Sequence, residues 1–123
     1  MTAAGWLTDA GADFEIYHCV SAYPTHPSAC NLAAIETLKQ RYPCNVGWSD
    51  HSVFKDVIHR AVSRFSADMV EFHLDLDGAG VEYRAGHCWL PSEIEPVIRA
   101  IKSGRAEPGT EAADGDGVKL FCR

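Results

Sequence analysis

The chain has 123 residues, 46% of them hydrophobic, and 17 acidic against 11 basic side chains give it a net charge of −6. This length and apolar fraction indicate one globular domain and exclude a disordered, collagen-like or coiled-coil chain. Because the basic residues are scattered singly, the acidic balance argues against nucleic acid or an anionic membrane as a partner.

The N-terminal segment and the cysteines bear on cellular location. The stretch from Met1 to Trp6 lacks the charged region and apolar run of a signal peptide, and no segment approaches the roughly 20 apolar residues that span a bilayer. We therefore expect a cytoplasmic protein. The cysteines at positions 19, 30, 44, 88 and 122 include no CxxC pair. They indicate reduced thiols rather than a disulfide framework or a zinc knuckle.

Strand-like and helix-like segments alternate along the first half of the chain. The aromatic and β-branched run from Asp13 to Ser21 predicts a strand, and apolar residues from Leu32 to Tyr42 recur at helical spacing. A second unit joins the apolar stretch from Cys44 to Trp48 to an amphipathic helix over residues 53–65. Two strand–helix units therefore occupy the region up to residue 65.

A third unit follows the same order. A strand over residues 68–74 continues through a glycine-rich loop, 77–87, into a helix from about Pro91 to Ser103. Three consecutive βα units predict an α/β fold with parallel strands joined by right-handed crossovers. We expect this domain to occupy residues 1–104 and an irregular, acidic and glycine-rich tail to occupy residues 105–123.

Chemically useful side chains follow the strands at their carboxyl ends, where parallel α/β folds bind ligands. Ser49 and His51 share one face of the second strand, and Glu71 and His73 share one face of the third. Adjacent parallel strands lie about 4.8 Å apart, so two imidazoles at neighbouring strand ends can bind one divalent metal. The open alternative is that both histidines are hydrogen-bonded packing residues.

Other polar residues have structural explanations. His18 falls in a strand interior and is predicted to be structural. Asp50 faces away from Ser49 and His51, so we expect it to orient a loop or cap the following helix. Asp75 and Asp77 could bind metal, although an Asp- and Gly-rich stretch is usually a turn.

Three motifs occur in order: HCVSAYPT at 18–25, VGWSDH at 46–51 and EFH at 71–73. Together they resemble the N-acetylneuraminate (sialic acid) synthase family, over roughly residues 8 to 119. The resemblance implies the last part of a (β/α)₈ TIM barrel, a fold of about 250 residues. Because three such strands leave two unpaired edges, we expect a homo-oligomer or pairing with a separate N-terminal barrel half.

The resemblance also implies a reaction. Members of the family condense phosphoenolpyruvate with an N-acetylated amino sugar, usually N-acetylmannosamine, using Mn²⁺ or Mg²⁺. Water attacks the enol ether carbon, phosphate leaves, and a nine-carbon 2-keto sugar acid results. The chain is therefore expected to belong to a metal-dependent, C–C bond-forming synthase whose substrates are phosphoenolpyruvate and an amino sugar.

The resemblance also implies functional roles for individual residues of this sequence. His51 and His73 match the two metal ligands of the family. The other matches are Ser49 near the phosphate, Tyr23 and Ser21 against the sugar, and Glu71 as the acidic residue beside the metal histidine. The role of Glu71 stays open between orienting water and holding substrate.

Two departures from the family pattern matter. The family's GPDH-like segment supplies an acid near the metal, and the corresponding region here, 80–91, has instead Glu82 or His87 as its replacement. The units that supply lysines for phosphoenolpyruvate, and the C-terminal antifreeze-like domain of many members, have no counterpart in this sequence. The alternative function is therefore a non-catalytic binding or assembly module derived from such a synthase.

Overall fold

The computed structural model describes residues 2–105, which form an α/β fold built on a parallel sheet. Its four strands lie side by side in chain order. They are β1 (Ile16–Cys19), β2 (Val46–Asp50), β3 (Val70–Leu74) and β4 (Cys88–Trp89). The predicted α/β class with parallel strands is confirmed, and the sheet holds one strand more than the three that we expected.

Helices alternate with the strands. They are α1 (Ala3–Asp9), α2 (Ala34–Arg41), α3 (Lys55–Ser63), α4 (Val81–Arg84) and α5 (Pro91–Lys102). The single-turn α4 lies within the region 77–87 that we expected to be a loop, and the extra strand β4 lies between that region and α5. None of the helices within residues 2–105 has the length and apolar character needed to cross a bilayer. The predicted tail, apart from Arg105, lies outside the described residues.

One face of the sheet packs on the helices. Val46 and Trp48 of β2 are fully buried there, beneath α2 and α3. The same cluster also contains Leu32, Ile35, Leu38, Val57, Ala61 and Phe65. A second cluster forms around Trp89, with Ile58, Ile94 and Val97 joining α3 to α5. Because fully burying one such side chain contributes roughly 1.5–3 kcal/mol, these clusters dominate the stability of the domain.

The strands approach each other closely on the opposite face. A Cβ atom added at Gly47 would lie 2.6 Å from Met69 Cγ, 2.7 Å from Tyr17 Cε1 and 2.8 Å from the Met69 carbonyl oxygen. Backbone at that distance cannot yield without separating β2 from β3. Glycine is therefore required at this position, and it lets β2 remain buried on both faces.

His18 has the structural role that we expected. Its ring is largely buried, Nε2 lies 2.8 Å from the Cys30 carbonyl oxygen, and the ring centroid lies 5.2 Å from that of Trp48. Burial lowers the pKa of the imidazole from its ordinary value of 6.5, although the backbone hydrogen bonds oppose that shift. The neutral form is therefore the one that the fold accommodates.

This lowered pKa makes stability depend on pH. Between the folded-state pKa and 6.5, the unfolded chain binds a proton at His18 that the folded chain does not. The free energy of unfolding should fall as the pH drops below 6.5, by at most about 1.4 kcal/mol per pH unit for this group. In urea titrations at a series of pH values, His18→Gln should flatten that slope, and His26→Gln, at an exposed position, is the matched control. Equal slopes for wild type and His18→Gln would contradict this assignment.

Candidate functional site

The loop after β1 folds back onto the end of β2. Thr25 donates from Oγ1 to the Ala22 carbonyl oxygen at 2.7 Å, and its backbone N–H donates to the His51 carbonyl oxygen at 2.9 Å. These bonds tie the loop across the sheet edge. As a result the Tyr23 ring lies against the His51 imidazole, with centroids 4.2 Å apart.

His51 follows β2 directly and is buried, with 3% of its surface exposed. Its Nδ1 lies 3.0 Å from the Val20 carbonyl oxygen, a group that only accepts hydrogen bonds. This contact assigns the proton to Nδ1. The lone pair of Nε2 is consequently left available for a metal or a substrate, and the ring orientation is held by the backbone of β1.

His73 on β3 has the same arrangement. Its Nδ1 lies 3.3 Å from Glu82 Oε2, and its ring centroid lies 5.1 Å from that of His51. A carboxylate that accepts from Nδ1 leaves Nε2 as the ligand atom, as is common for metal-binding histidines. The two imidazoles therefore fit a divalent metal held between adjacent strand ends.

The remaining predicted site residues lie at two levels around this pair. Ser49 is buried and pairs in register with Glu71 on β3, which is exposed. Ser49 and Glu71 each precede a site histidine by two residues. With a rise of about 3.3 Å per residue, they occupy the next position down the strand on the same sheet face. Ser21 is exposed in the loop between β1 and Tyr23. The structure thus brings Tyr23 and the two histidines together, with Ser49 and Glu71 beneath them.

A third imidazole joins the group. The ring centroid of His87 lies 5.3 Å from that of His73 and 5.2 Å from that of Tyr23. His87 is 8% exposed, and its Nδ1 is buried with no hydrogen-bond partner. The two residues considered as replacements for the family's acid, Glu82 and His87, therefore both lie beside His73.

Cys88 is the site residue that sequence reasoning missed. It pairs in register with His73, and one ligand atom each from His73, Glu82, His87 and Cys88 lies within 4.8 Å of the others. Burial raises the pKa of the Cys88 thiol, as do the charge and hydrogen bond of Glu82 and the charge of Asp75. Because β4 has only two residues, no sequence period marks the strand that carries Cys88.

The loop before α4 positions Glu82. Asp75 accepts hydrogen bonds from the backbone N–H groups of Asp77, Gly78 and Gly80, and these bonds, that from Asp77 foremost, lower the pKa of its carboxyl group. A Cβ atom at Gly80 would lie 1.9 Å from Asp75 Oδ2, so a side chain there would displace the carboxylate from its present position. The turn interpretation of Asp75 therefore fits, and α4 begins directly after it.

Asp50 holds the structure behind the site. Its fully buried carboxylate accepts from Trp48 Nε1 at 3.1 Å, Trp89 Nε1 at 3.2 Å and Ser52 Oγ at 2.6 Å, and from the backbone N–H groups of Ser52 and Val53. It orients the loop after β2, as expected, but the residue that caps α3 is Phe54. Through Trp89, Asp50 also holds β4 against the rest of the sheet.

Comparison with known proteins decides the family. The family model described as "NeuB family" matches residues 1–113. The chain belongs to the NeuB family. This match confirms the resemblance drawn from the three motifs, and it covers every residue of the site described above.

Two curated relatives have informative names. The chain is 37% identical over 93 residues to N-acetylneuraminate-9-phosphate synthase of Drosophila melanogaster, which covers 72% of this chain and 24% of that protein. It is 31% identical over 110 residues to the spore coat polysaccharide biosynthesis protein SpsE of Bacillus subtilis, covering 83% of this chain and 28% of that one.

Solved structures share the fold. An N-acetylneuraminic acid (sialic acid) synthetase of Leptospira borgpetersenii, in complex with citrate, superposes with a TM-score of 0.76 at 30% identity, covering 84% of this chain and 36% of that one. The SpsE structure of Bacillus subtilis gives a TM-score of 0.73 at 26% identity, covering 94% and 35%. The matches thus span between 24% and 36% of the length of these relatives.

Removal of the Asp50 carboxylate should destabilise the whole domain. Asp50→Ala leaves two indole N–H groups and the Ser52 hydroxyl without their acceptor. Because each unsatisfied buried donor costs about 1–3 kcal/mol, we expect a loss of more than about 3 kcal/mol in urea unfolding. Trp89→Phe removes one donor and should cost less. A loss below about 1 kcal/mol for Asp50→Ala would contradict this role.

Proposed function

We propose that this chain supplies the metal- and sugar-binding part of a cytoplasmic synthase site. The reaction condenses phosphoenolpyruvate with an N-acetylated amino sugar and gives a nine-carbon 2-keto sugar acid. The observation that carries the proposal is the meeting of Tyr23, His51 and His73, with Nδ1 of both histidines already held by an acceptor. Relatives named as synthases of N-acetylneuraminate 9-phosphate and of N,N'-diacetyllegionaminic acid support it.

His51 and His73 are the residues that would hold Mn²⁺ or Mg²⁺, each through Nε2. When bound there, the ion acts as a Lewis acid that makes the sugar aldehyde more electrophilic. The Val20 carbonyl oxygen and the Glu82 carboxylate fix the two rings before the ion arrives. Such outer partners raise the basicity of the ligating nitrogen as well as orienting it.

Tyr23 is placed to bind the sugar. About half of its surface, 51%, is exposed, while the ring rests on His51. An amphipathic aromatic ring of this kind packs against C–H groups with its face and hydrogen-bonds with its hydroxyl. Ser21, two residues earlier in the same loop, adds a second hydroxyl toward the sugar.

Ser49 and Glu71 serve the phosphoenolpyruvate side. The Ser49 hydroxyl donates a hydrogen bond to the phosphate, yet one neutral donor cannot balance the charge of that group. The proposal therefore includes cationic side chains that bind the phosphate and come from another copy of the chain or from an N-terminal barrel half. Glu71, the register partner of Ser49, is the acid that orients the attacking water or holds the substrate.

Metal titration tests the histidine pair. Isothermal titration of Mn²⁺ into His51→Ala and His73→Ala should show affinity at least about tenfold lower than wild type, since loss of even an outer partner costs about 10–100-fold. His26→Ala, which alters an exposed histidine in the loop before α2, is the matched control and should bind Mn²⁺ like wild type. Wild-type affinity in both site variants would refute the metal assignment.

Phosphate release tests the reaction. The chain is incubated with phosphoenolpyruvate, N-acetylmannosamine and Mn²⁺, and free phosphate is followed over time. Release that depends on the sugar and disappears in His73→Ala is the expected result. If Mn²⁺ binds but no phosphate appears, this chain alone is not an active synthase, and it is either one part of a larger barrel or the alternative, a non-catalytic binding or assembly module.

A further inference from the structure

We propose that His73, Glu82, His87 and Cys88 form a second cation site, selective for thiophilic divalent ions such as Zn²⁺. It goes beyond the proposed function, which needs only an ion held by His51 and His73. The two sets of ligands share His73 but differ in chemistry, because the second set contains a thiol and the first does not.

Strand register places the ligands together. His73 and Cys88 are Cα partners in the β3–β4 ladder, so their side chains lie next to each other on the same face. Glu82 on α4 adds its carboxylate, with Oε2 3.3 Å from His73 Nδ1 and 3.7 Å from Cys88 Sγ. His87 precedes Cys88 and completes the set.

The spacing of the ligand atoms suits a tetrahedral ion. One ligand atom from each residue lies within 4.8 Å of the other three. Zinc bonds of about 2.0–2.3 Å require ligand atoms roughly 3.3–3.8 Å apart in a tetrahedron, so contraction by an ångström completes the shell. Glu82, whose side chain is 63% exposed, is free to make that adjustment by rotation.

An orphaned nitrogen gives independent support. Nδ1 of His87 is buried and has no hydrogen-bond partner, and the residue as a whole is only 8% exposed. A buried polar atom in that state costs about 1–3 kcal/mol. Rotation of the ring toward a bound cation gives the imidazole a partner, which removes that cost.

The thiol selects the ion. On binding, Cys88 releases its proton to solvent and the thiolate coordinates the cation, with Glu82 as a second anionic ligand, so the two charges of Zn²⁺ are neutralised. Thiolate and imidazole ligands favour Zn²⁺ and Co²⁺, whereas Mn²⁺ and Mg²⁺ favour oxygen ligands and water. The Cys88 thiolate, which the His51–His73 pair lacks, therefore gives the second site the stronger preference for Zn²⁺.

The two sites exclude each other at His73. A neutral imidazole has one lone pair, so coordination through Nδ1, which faces Glu82, leaves the proton on Nε2. The His51–His73 pair requires the opposite tautomer. Zn²⁺ bound at the second site should therefore lower the affinity of the chain for Mn²⁺.

Cobalt substitution tests the site without an activity assay. Co²⁺ bound by a thiolate in a tetrahedral site gives a sulfur-to-metal charge-transfer band and intense visible absorption. The wild-type chain should develop both on titration with Co²⁺. Cys88→Ser should lose the charge-transfer band and bind Zn²⁺ about 100-fold more weakly, with folding verified by circular dichroism.

Two variants serve as controls, and a third tests another of the proposed ligands. Cys19→Ser removes the exposed thiol whose Sγ lies 4.0 Å from His51 Nδ1, and it should keep the charge-transfer band. His51→Ala should also keep the band while losing Mn²⁺ affinity, which separates this site from the proposed function. Glu82→Gln, at an exposed position, should keep the band and weaken Zn²⁺ binding.

The outcomes that overturn the proposal are equally specific. A charge-transfer band that survives Cys88→Ser, or one that disappears with Cys19→Ser, assigns the thiolate elsewhere. Co²⁺ binding without any such band places the ion at the His51–His73 pair alone. Failure of Zn²⁺ to reduce Mn²⁺ affinity removes the shared role of His73.

Discussion

The carboxylate of Asp50 is the constraint on which the rest of the domain depends. It lies fully buried behind the sheet and accepts hydrogen bonds from two indoles, one hydroxyl and two backbone N–H groups. A buried carboxylate is tolerated only when its lone pairs are satisfied, so Trp48, Ser52 and Trp89 must occupy fixed positions. One side chain thereby sets the loop after β2 and the distance of β4 from β2.

Alternation along the strands converts this interior arrangement into a site. Trp48 and Asp50 face the helices, and consequently Ser49 and His51 face the other way, toward Glu71 and His73. Hydrogen bonds to backbone carbonyl groups then orient the side chains of the site. The Val20 carbonyl oxygen orients His51, and the hydrogen bonds of Thr25 bring Tyr23 over it. Packing and chemistry occupy opposite faces of the same four strands.

Much of this arrangement follows from local sequence patterns. A short apolar stretch predicts β2 and helical periodicity predicts α3, and alternation along each strand places Ser49 with His51 and Glu71 with His73. The predicted structural role of His18 and the loop-orienting role of Asp50 also agree with their contacts. The α/β class follows from the succession of three strand–helix units along the chain.

What could not be predicted depends on contacts between distant residues. β4 has two residues, too few for any period, and it exists because Trp89 reaches Asp50 and packs against α3 and α5. That short strand has a dynamic consequence. Its ladder to β3 contains few hydrogen bonds, so the segment carrying His87 and Cys88 should open locally at a lower free energy than β1–β3. Backbone amide exchange should therefore be slower in β2, which leads to His51, than at His87 and Cys88.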